Sequence, residues 1–152
     1  MANTENDLSH LKPGTQTFLE FDKVFNLQKT IQEDTYGYKF KDMSLAEIAK
    51  FWFMNKHAME DELSEMFDAL GGIRDGIGNA VWKPWKKDNA LGNGLSIEEL
   101  SSHDRHELLM EYVDIFHFFI NFGVSVGFTG SEVVNAYISK NKENIRRQEN
   151  NY

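Results

Sequence analysis

The stretch NKHAMEDELSEMFDALGG, Asn55 to Gly72, decides how this sequence folds, because it reads as a helix that carries too many acids. Five acidic residues fall within the nine positions from Glu60 to Asp68, and apolar side chains are interleaved with them. A helix on a protein surface keeps its polar and apolar residues on opposite faces. Here the two sets overlap, so we expect some carboxylates to lie at the edge of a core or inside it.

A second pair of acids lies in the stretch EYVDIFHFFINF, Glu111 to Phe122. Glu111 and Asp114 have the same three-residue spacing as Glu62 and Glu65. On a helix this spacing places the two members of a pair about 60° apart around the axis. The residues around Glu111 and Asp114 are apolar on nearly all sides, which predicts that this helix and its acids are buried.

Four buried carboxylates must be protonated, ion-paired or bound to a cation, because burying an unpaired charge is very costly. The neighbouring stretches lack enough Arg and Lys to pair them all, and the chain has no cysteine that would form a thiolate site. Oxygen ligands from Asp and Glu suit a hard cation such as Mg²⁺, which commonly also holds water and substrate phosphates. The sequence therefore predicts a Mg²⁺ site with the ligands Glu62, Glu65, Glu111 and Asp114.

Two other kinds of site compete with this interpretation. Asp114 and His117 form an Asp-x-x-His motif, but di-iron bundles use Glu-x-x-His on two helices, and the first acidic pair is Glu-x-x-Glu. His117 is then a core histidine or a partner that orients a carboxylate. A protein that binds a structural ion without any catalysis remains the second alternative.

The rest of the chain predicts one all-α domain, residues 1–152, with four main helices in a four-helix-bundle-like arrangement. Ser and Thr followed three residues later by an acid indicate where the helices begin. A long glycine-containing insertion separates the second and third helices, and residues 1–14 read as a loose arm. The expected helices run from Thr15 to about Asp34, from Ser44 to Gly71, from Ser101 to about Val126, and from Thr129 to Arg147 or beyond.

Composition excludes several classes of partner. The 152 residues carry a net charge of −8, so the protein is expected to repel nucleic acid and anionic membranes. No apolar run approaches a membrane span, and the start of the chain does not resemble a signal peptide. Without cysteines the chain fits a reducing cytoplasm.

Several motifs together resemble the all-α nucleoside triphosphate pyrophosphatases, a superfamily that includes the MazG-like enzymes and the dimeric dUTPases. ELSE (62–65) followed by EYVD (111–114) resembles the family's Glu-x-x-Glu and Glu-x-x-Asp signature. The tail YISKNKENIRRQENNY (137–152) is similar to the Lys-Asn-x-x-Asn-x-x-Arg-Gln ending of the dUTPase branch. With AVWKPWKKD (80–88), the resemblance extends to the dCTP pyrophosphatases of T-even bacteriophages.

The resemblance implies that the protein uses Mg²⁺ to hydrolyse dCTP, and also dUTP, to the monophosphate and pyrophosphate. This reaction would keep cytosine and uracil out of phage DNA. A dUTP-specific dUTPase is the alternative within the superfamily. The resemblance also implies a homodimer, with nucleotide-synthesis enzymes as possible further partners. It assigns metal binding and catalysis to the four acids, and phosphate or sugar binding to Lys83, Lys86, Lys140, Asn144 and Arg147.

Recognition of the base is assigned to residues outside the acidic pairs. LQKTIQEDT (27–35) resembles the first dUTPase motif, except that Gln32 replaces an asparagine, which predicts a changed or broader choice of pyrimidine. Gln28 and Gln32 interrupt an apolar helical face, and they lie either at a helix edge or in a pocket. Phe118 either stacks on the base or belongs to the core. Trp85, in the basic block, completes the predicted base-binding set.

Overall fold

The structure is a computed structural model that describes residues 12, 14–70, 73–74, 77–78 and 96–149. In these ranges four α-helices dominate, as expected for an all-α protein, and two strands of two residues each pair as an antiparallel hairpin after the second helix. Most of the predicted arm and most of the insertion lie outside the described residues. The helices are α1 (Gln16–Thr30), α2 (Leu45–Leu70), α3 (Ser102–Ser125) and α4 (Gly130–Glu149), and the strands are β1 (Ile73–Arg74) and β2 (Ile77–Gly78).

Each of the last three helices begins at the capping residue that the sequence predicts. In each case a side-chain hydroxyl accepts a hydrogen bond from the backbone N–H three residues later, which satisfies one of the free donors of the first turn. In two of them the acid at that later position also accepts the N–H of the capping residue. The hydroxyl and amide pairs are Ser44–Glu47 at 3.4 Å, Ser101–Asp104 at 3.0 Å and Thr129–Glu132 at 3.1 Å.

Helix α1 continues into a π-helical turn over Ile31–Thr35, where the Tyr36 N–H bonds to the Ile31 carbonyl at 3.2 Å. Gln32 is buried, whereas Ile31 is exposed. Wide turns of this kind are rare and frequently mark functional sites.

The chain divides into two compact units, and one of them consists of residues 1–43 and 123–152. Its core packs Phe18 of α1 against Val134 and Ile138 of α4. The two helices approach closely at Gly130, where an added Cβ would lie 2.2 Å from the carbonyl carbon of Phe21. Only glycine permits this contact, so the close packing of α1 on α4 depends on that residue.

The second unit comprises residues 44–122 and contains α2 and most of α3. The buried positions of α2 follow the three- and four-residue spacing of one helical face, and they include the polar residue Asn55. Asn55 contacts Asn121 of α3, and the ring of Trp52 meets that of Phe122 edge to face, with centroids 5.4 Å apart. These contacts fix one face of α2 against α3. Its fully buried positions are Ile48, Phe51, Asn55 and Ala69.

Helix α3 is less buried than its sequence predicts. Large apolar side chains such as Leu109, Met110 and Phe119 are exposed, although Ile120 and Asn121 are buried. By length and composition alone α3 is apolar enough to cross a membrane. Two of its acids are half-buried rather than buried, and acids near the middle of a helix are costly in a bilayer.

Candidate metal centre

Three of the four predicted acids converge between α2 and α3. The inward face of α2 that carries Asn55 continues to Glu62, and the opposing segment of α3 presents Glu111 and Asp114. One carboxylate oxygen from each residue lies within 4.8 Å of the other two. All three side chains are half-buried, so they combine partial exclusion of water with access from solvent.

The electrostatics of this cluster favour a positive ion. Partial burial, followed by the charges of Glu65 and Asp114, raises the pKa of Glu62 above its ordinary value. Partial burial, followed by the charges of Glu65 and Glu62, also raises the pKa of Glu111. A side-chain hydrogen bond also couples the carboxyl groups of Glu62 and Glu111.

Glu65 occupies a different position from the other three acids. It is exposed, and the three-carboxylate group that could hold an ion does not include it. Its charge nevertheless acts on both Glu62 and Glu111, so it lies at the rim of the cluster. The sequence predicted that Glu62 and Glu65 project to the same side of α2, and the structure separates them into a half-buried residue and an exposed one.

Most of the other acids in the stretch Asn55 to Gly72 are exposed or paired, so they need no bound ion. Glu60 is exposed and pairs with Lys56 and with Nδ1 of His57, the latter at 3.2 Å. Asp61 is also exposed. Glu62 and Asp68 are the half-buried acids of the stretch, and Glu62 is the one whose carboxylate meets acids of α3. Oδ1 of Asp68 is buried without a hydrogen-bond partner among the described residues.

The three-carboxylate group fits a small hard cation. Mg²⁺ binds oxygen ligands at roughly 2.0–2.1 Å in octahedral geometry, so two ligand oxygens on opposite sides are about 4.2 Å apart. The separation of up to 4.8 Å among the three oxygens needs only small side-chain movements to reach that range. A bound cation would offset the mutual repulsion of the carboxylates, which contributes to the raised pKa values of Glu62 and Glu111.

His117 is an exposed neighbour of the site rather than a core residue. Its Nδ1 atom lies 3.7 Å from Oδ1 of Asp114, one turn earlier on α3. About half of each side chain is exposed. Of the two interpretations drawn from the sequence, the core histidine is therefore wrong, and the partner of a carboxylate fits the geometry.

The two predicted base-binding amides are buried, so the interpretation of Gln28 and Gln32 as residues at a helix edge is wrong. Each has 6% of its surface exposed. Gln28 lies in the last turns of α1, and Gln32 lies in the π-helical turn that follows. A buried amide requires polar partners, because leaving its donors and acceptors unbonded is costly.

The predicted phosphate-binding residues of the tail share one face of α4. Lys140, Asn144 and Arg147 are all exposed and follow a four- and three-residue spacing. Arg147 donates from Nε to Glu143 at 3.1 Å, and Arg146 makes two hydrogen bonds to the same carboxylate. These pairs lower the pKa of Glu143.

Of the other predicted nucleotide-binding residues, the structure describes Phe118 alone. Phe118 is half-buried on α3, one turn after Asp114. Lys83, Trp85 and Lys86 lie outside the described residues.

An apolar cavity of about 380 Å³, which sequence reasoning missed, lies beside the acidic cluster between α2 and α3. Its lining residues are Met66, Phe67, Leu70, Arg105, Leu108, Leu109 and Tyr112.

Known proteins resemble this chain over most of its length. It is 38% identical to the dCTP pyrophosphatase of Enterobacteria phage LZ5, over 99% of this chain and 89% of that protein. It is 29% identical to the dCTP pyrophosphatase of Enterobacteria phage T4, over 93% of this chain and 84% of that protein. A DNA replication protein of phage T4 is 28% identical over 86% of this chain, which spans 34% of that protein.

A shorter match concerns the end of the chain. The sequence profile of a family described as dUTPase matches residues 119–152, which include the end of α3 and the predicted phosphate-binding face of α4. The acidic cluster lies before this segment. No solved structure matches the chain.

Proposed function

The chain belongs to the dCTP pyrophosphatase family of bacteriophages, and from this premise we propose that it hydrolyses dCTP to dCMP and pyrophosphate with a divalent cation, Mg²⁺. The observation that carries the proposal is the convergence of Glu62, Glu111 and Asp114 at one point between two helices. A bound cation would neutralise the phosphate oxygens and lower the pKa of water. The same three residues would hold it.

Glu65 is the residue that we assign to the attacking water. It lies at the rim of the cluster, is exposed, and is not needed as one of the three converging ligands. Its carboxylate would accept a proton from water as the water oxygen bonds to phosphorus and the α–β phosphoanhydride breaks. The products are then dCMP and pyrophosphate, and one water is consumed.

The polar residues of the other compact unit are assigned to the nucleotide by their chemistry and by the resemblance noted above. Lys140, Asn144 and Arg147 present cations and an amide along one exposed face, which suits phosphate or sugar oxygens. Gln28 and Gln32 present buried donors and acceptors of the kind that read a pyrimidine edge. Phe118, Lys83, Lys86 and Trp85 complete the proposed set.

A second substrate, dUTP, is favoured by the match of residues 119–152 to the dUTPase profile. The test is a panel of all deoxynucleoside and ribonucleoside triphosphates with Mg²⁺, in which pyrophosphate and phosphate are measured separately. We expect pyrophosphate from dCTP, and from dUTP at a lower or similar rate. Release of phosphate, or turnover of purine nucleotides only, would refute the assignment. Metal-dependent stability without any turnover would indicate a metal-binding protein instead.

We also propose that two copies of the chain associate. Several large apolar side chains of α2 and α3 are exposed, including Phe53, Phe67, Tyr112 and Phe119. Exposed apolar patches of this kind are typical of protein interfaces. Sedimentation analysis should therefore give twice the mass of the chain, whereas a monomer at micromolar concentration would contradict this part of the proposal.

A further inference from the structure

A pair of buried amides joins α2 to α3 about two helical turns from the candidate metal centre. Asn55 and Asn121 have 2% and 3% of their surfaces exposed. Nδ2 of Asn121 donates to Oδ1 of Asn55 at 2.7 Å, and Nδ2 of Asn55 donates to the Phe51 carbonyl at 2.8 Å. Buried amides are costly unless they are hydrogen-bonded, so this pair strongly favours the helix alignment that satisfies it.

The position of the pair is related to that of the metal cluster by helical geometry. Glu62 lies seven residues after Asn55 on α2, and Asp114 lies seven residues before Asn121 on α3. Seven residues make almost two turns, a rise of about 10.5 Å with a rotation of only about 20°. The second contact lies seven residues later on α2 and seven residues earlier on α3. The two helices are therefore antiparallel, and one alignment satisfies both contacts.

We propose that the Asn55–Asn121 pair is a positioning device, which sets the register of α2 against α3 and so brings Glu62 to Glu111 and Asp114. The inference rests on the proposed metal-dependent function. Apolar contacts such as that of Trp52 with Phe122 tolerate sliding, because they have no fixed direction. An amide hydrogen bond is directional, and a slip of one turn, about 5.4 Å, would break it. A single buried asparagine sets register in coiled coils for the same reason.

The decisive variant replaces both amides by leucine, Asn55→Leu with Asn121→Leu. This change removes the polar requirement while it preserves volume and burial, so the metal-free fold should be as stable as the wild type or more stable. We expect the Mg²⁺ affinity, measured by calorimetry and by the Mg²⁺-dependent rise in melting temperature, to fall at least tenfold. With dCTP, kcat should fall more than KM changes.

The control is Phe122→Leu, which weakens an apolar contact of the same two helices. It should lower the melting temperature and leave the Mg²⁺ affinity within about twofold of the wild type. The inference is overturned if the double leucine variant binds Mg²⁺ as the wild type does. If that variant does not fold, Asn121→Ala decides: a lowered melting temperature with unchanged Mg²⁺ affinity would reduce the pair to a structural role. A wild-type protein that ignores Mg²⁺ would instead refute the proposed function.

Discussion

A carboxylate oxygen of Glu62 on α2 lies within 4.8 Å of one of Glu111 on α3, so two acids face each other across the helix interface. Partial burial and the neighbouring acids raise the pKa of both groups above the ordinary value. A cation binds carboxylates in their deprotonated form, so metal binding at the proposed centre would compete with protonation of this pair. Stability, pH and metal binding are therefore linked there.

Replacement of Glu111 by glutamine should abolish dCTP hydrolysis and leave the metal-free protein as stable as the wild type, or more stable. Glutamine keeps the volume and removes the ionisable group that Glu65, Glu62 and Asp114 repel. With Mg²⁺ the order should reverse, since a cation at 100 times its Kd stabilises the native wild type by about 2.7 kcal/mol. The measurement is thermal melting of both proteins with Mg²⁺ and with chelator. Equal destabilisation in both conditions would make Glu111 a structural residue.

The stability of the chelated protein should fall as pH rises above the ordinary glutamate pKa of 4.5. The pKa values of Glu62 and Glu111 are raised in the fold. The native state therefore binds more protons than the unfolded state between the ordinary and the raised values, and the free energy of unfolding declines across that interval. Urea unfolding at a series of pH values checks this, and Glu111→Gln should show a shallower decline. A steeper decline in the variant would contradict the raised pKa of Glu111.

The sequence predicts the elements of this structure better than their contacts. Helix bounds and caps follow from local patterns such as Ser44 with Glu47. The three-residue spacing places Glu111 and Asp114 together in the cluster, whereas the same spacing leaves Glu65 outside it. The Asn55–Asn121 contact joins residues 66 positions apart, and it depends on the rotation of two helices that no local pattern specifies.

The prediction that α3 is buried was wrong for much of its surface. Apolar residues on nearly all sides of a helix predict burial within one chain, but they equally fit a helix that is covered by a second copy.

The sequence did not predict the contact of Asp22 with Ser131. An acid of α1 there accepts bonds from the N–H and the hydroxyl of α4, at 2.7 and 2.5 Å, across 109 positions.

Replacement of Asp22 by alanine should lower the melting temperature, because the first turn of α4 loses its acceptor. The bonds from Ser131 lower the pKa of Asp22 below 3.8. Its stabilising effect is therefore present above that pH and is lost as pH falls through the folded value. Lys23→Ala, at an exposed neighbouring position, is the control. Identical melting of the Asp22→Ala variant and the wild type at pH 7 would contradict the role of this cap.

Replacement of Gly130 by alanine should destabilise the protein by about 1–3 kcal/mol, because the new methyl group meets the backbone of Phe21. Gly123→Ala is the matched control. Its methyl group would meet the Phe25 ring at 3.2 Å, and a ring can shift where a backbone cannot. Chemical denaturation measures both. A Gly130→Ala variant more stable than Gly123→Ala would show that α1 and α4 do not pack this closely.

Replacement of Arg147 by alanine should weaken dCTP binding and turnover at least tenfold while the fold survives. Arg147 is exposed, and its pair with Glu143 on the same helix contributes little to stability because water screens the two charges. Arg146→Ala is the matched control, since Arg146 bonds to the same carboxylate and lies outside the proposed phosphate-binding set. Steady-state kinetics compare the two. Equal effects of both changes would remove Arg147 from the nucleotide site.

The most direct test of the central claim is phosphorus NMR of dCTP incubated with the wild type and with Asp114→Asn, in Mg²⁺ and after chelation. Asp114 belongs to the converging group, and asparagine keeps its size while it removes the charge. The wild type with Mg²⁺ should produce dCMP and pyrophosphate in equal amounts, and the other three reactions should leave dCTP intact. Undiminished hydrolysis after chelation, or full activity of the variant, would contradict catalysis at the carboxylates of Glu62, Glu111 and Asp114.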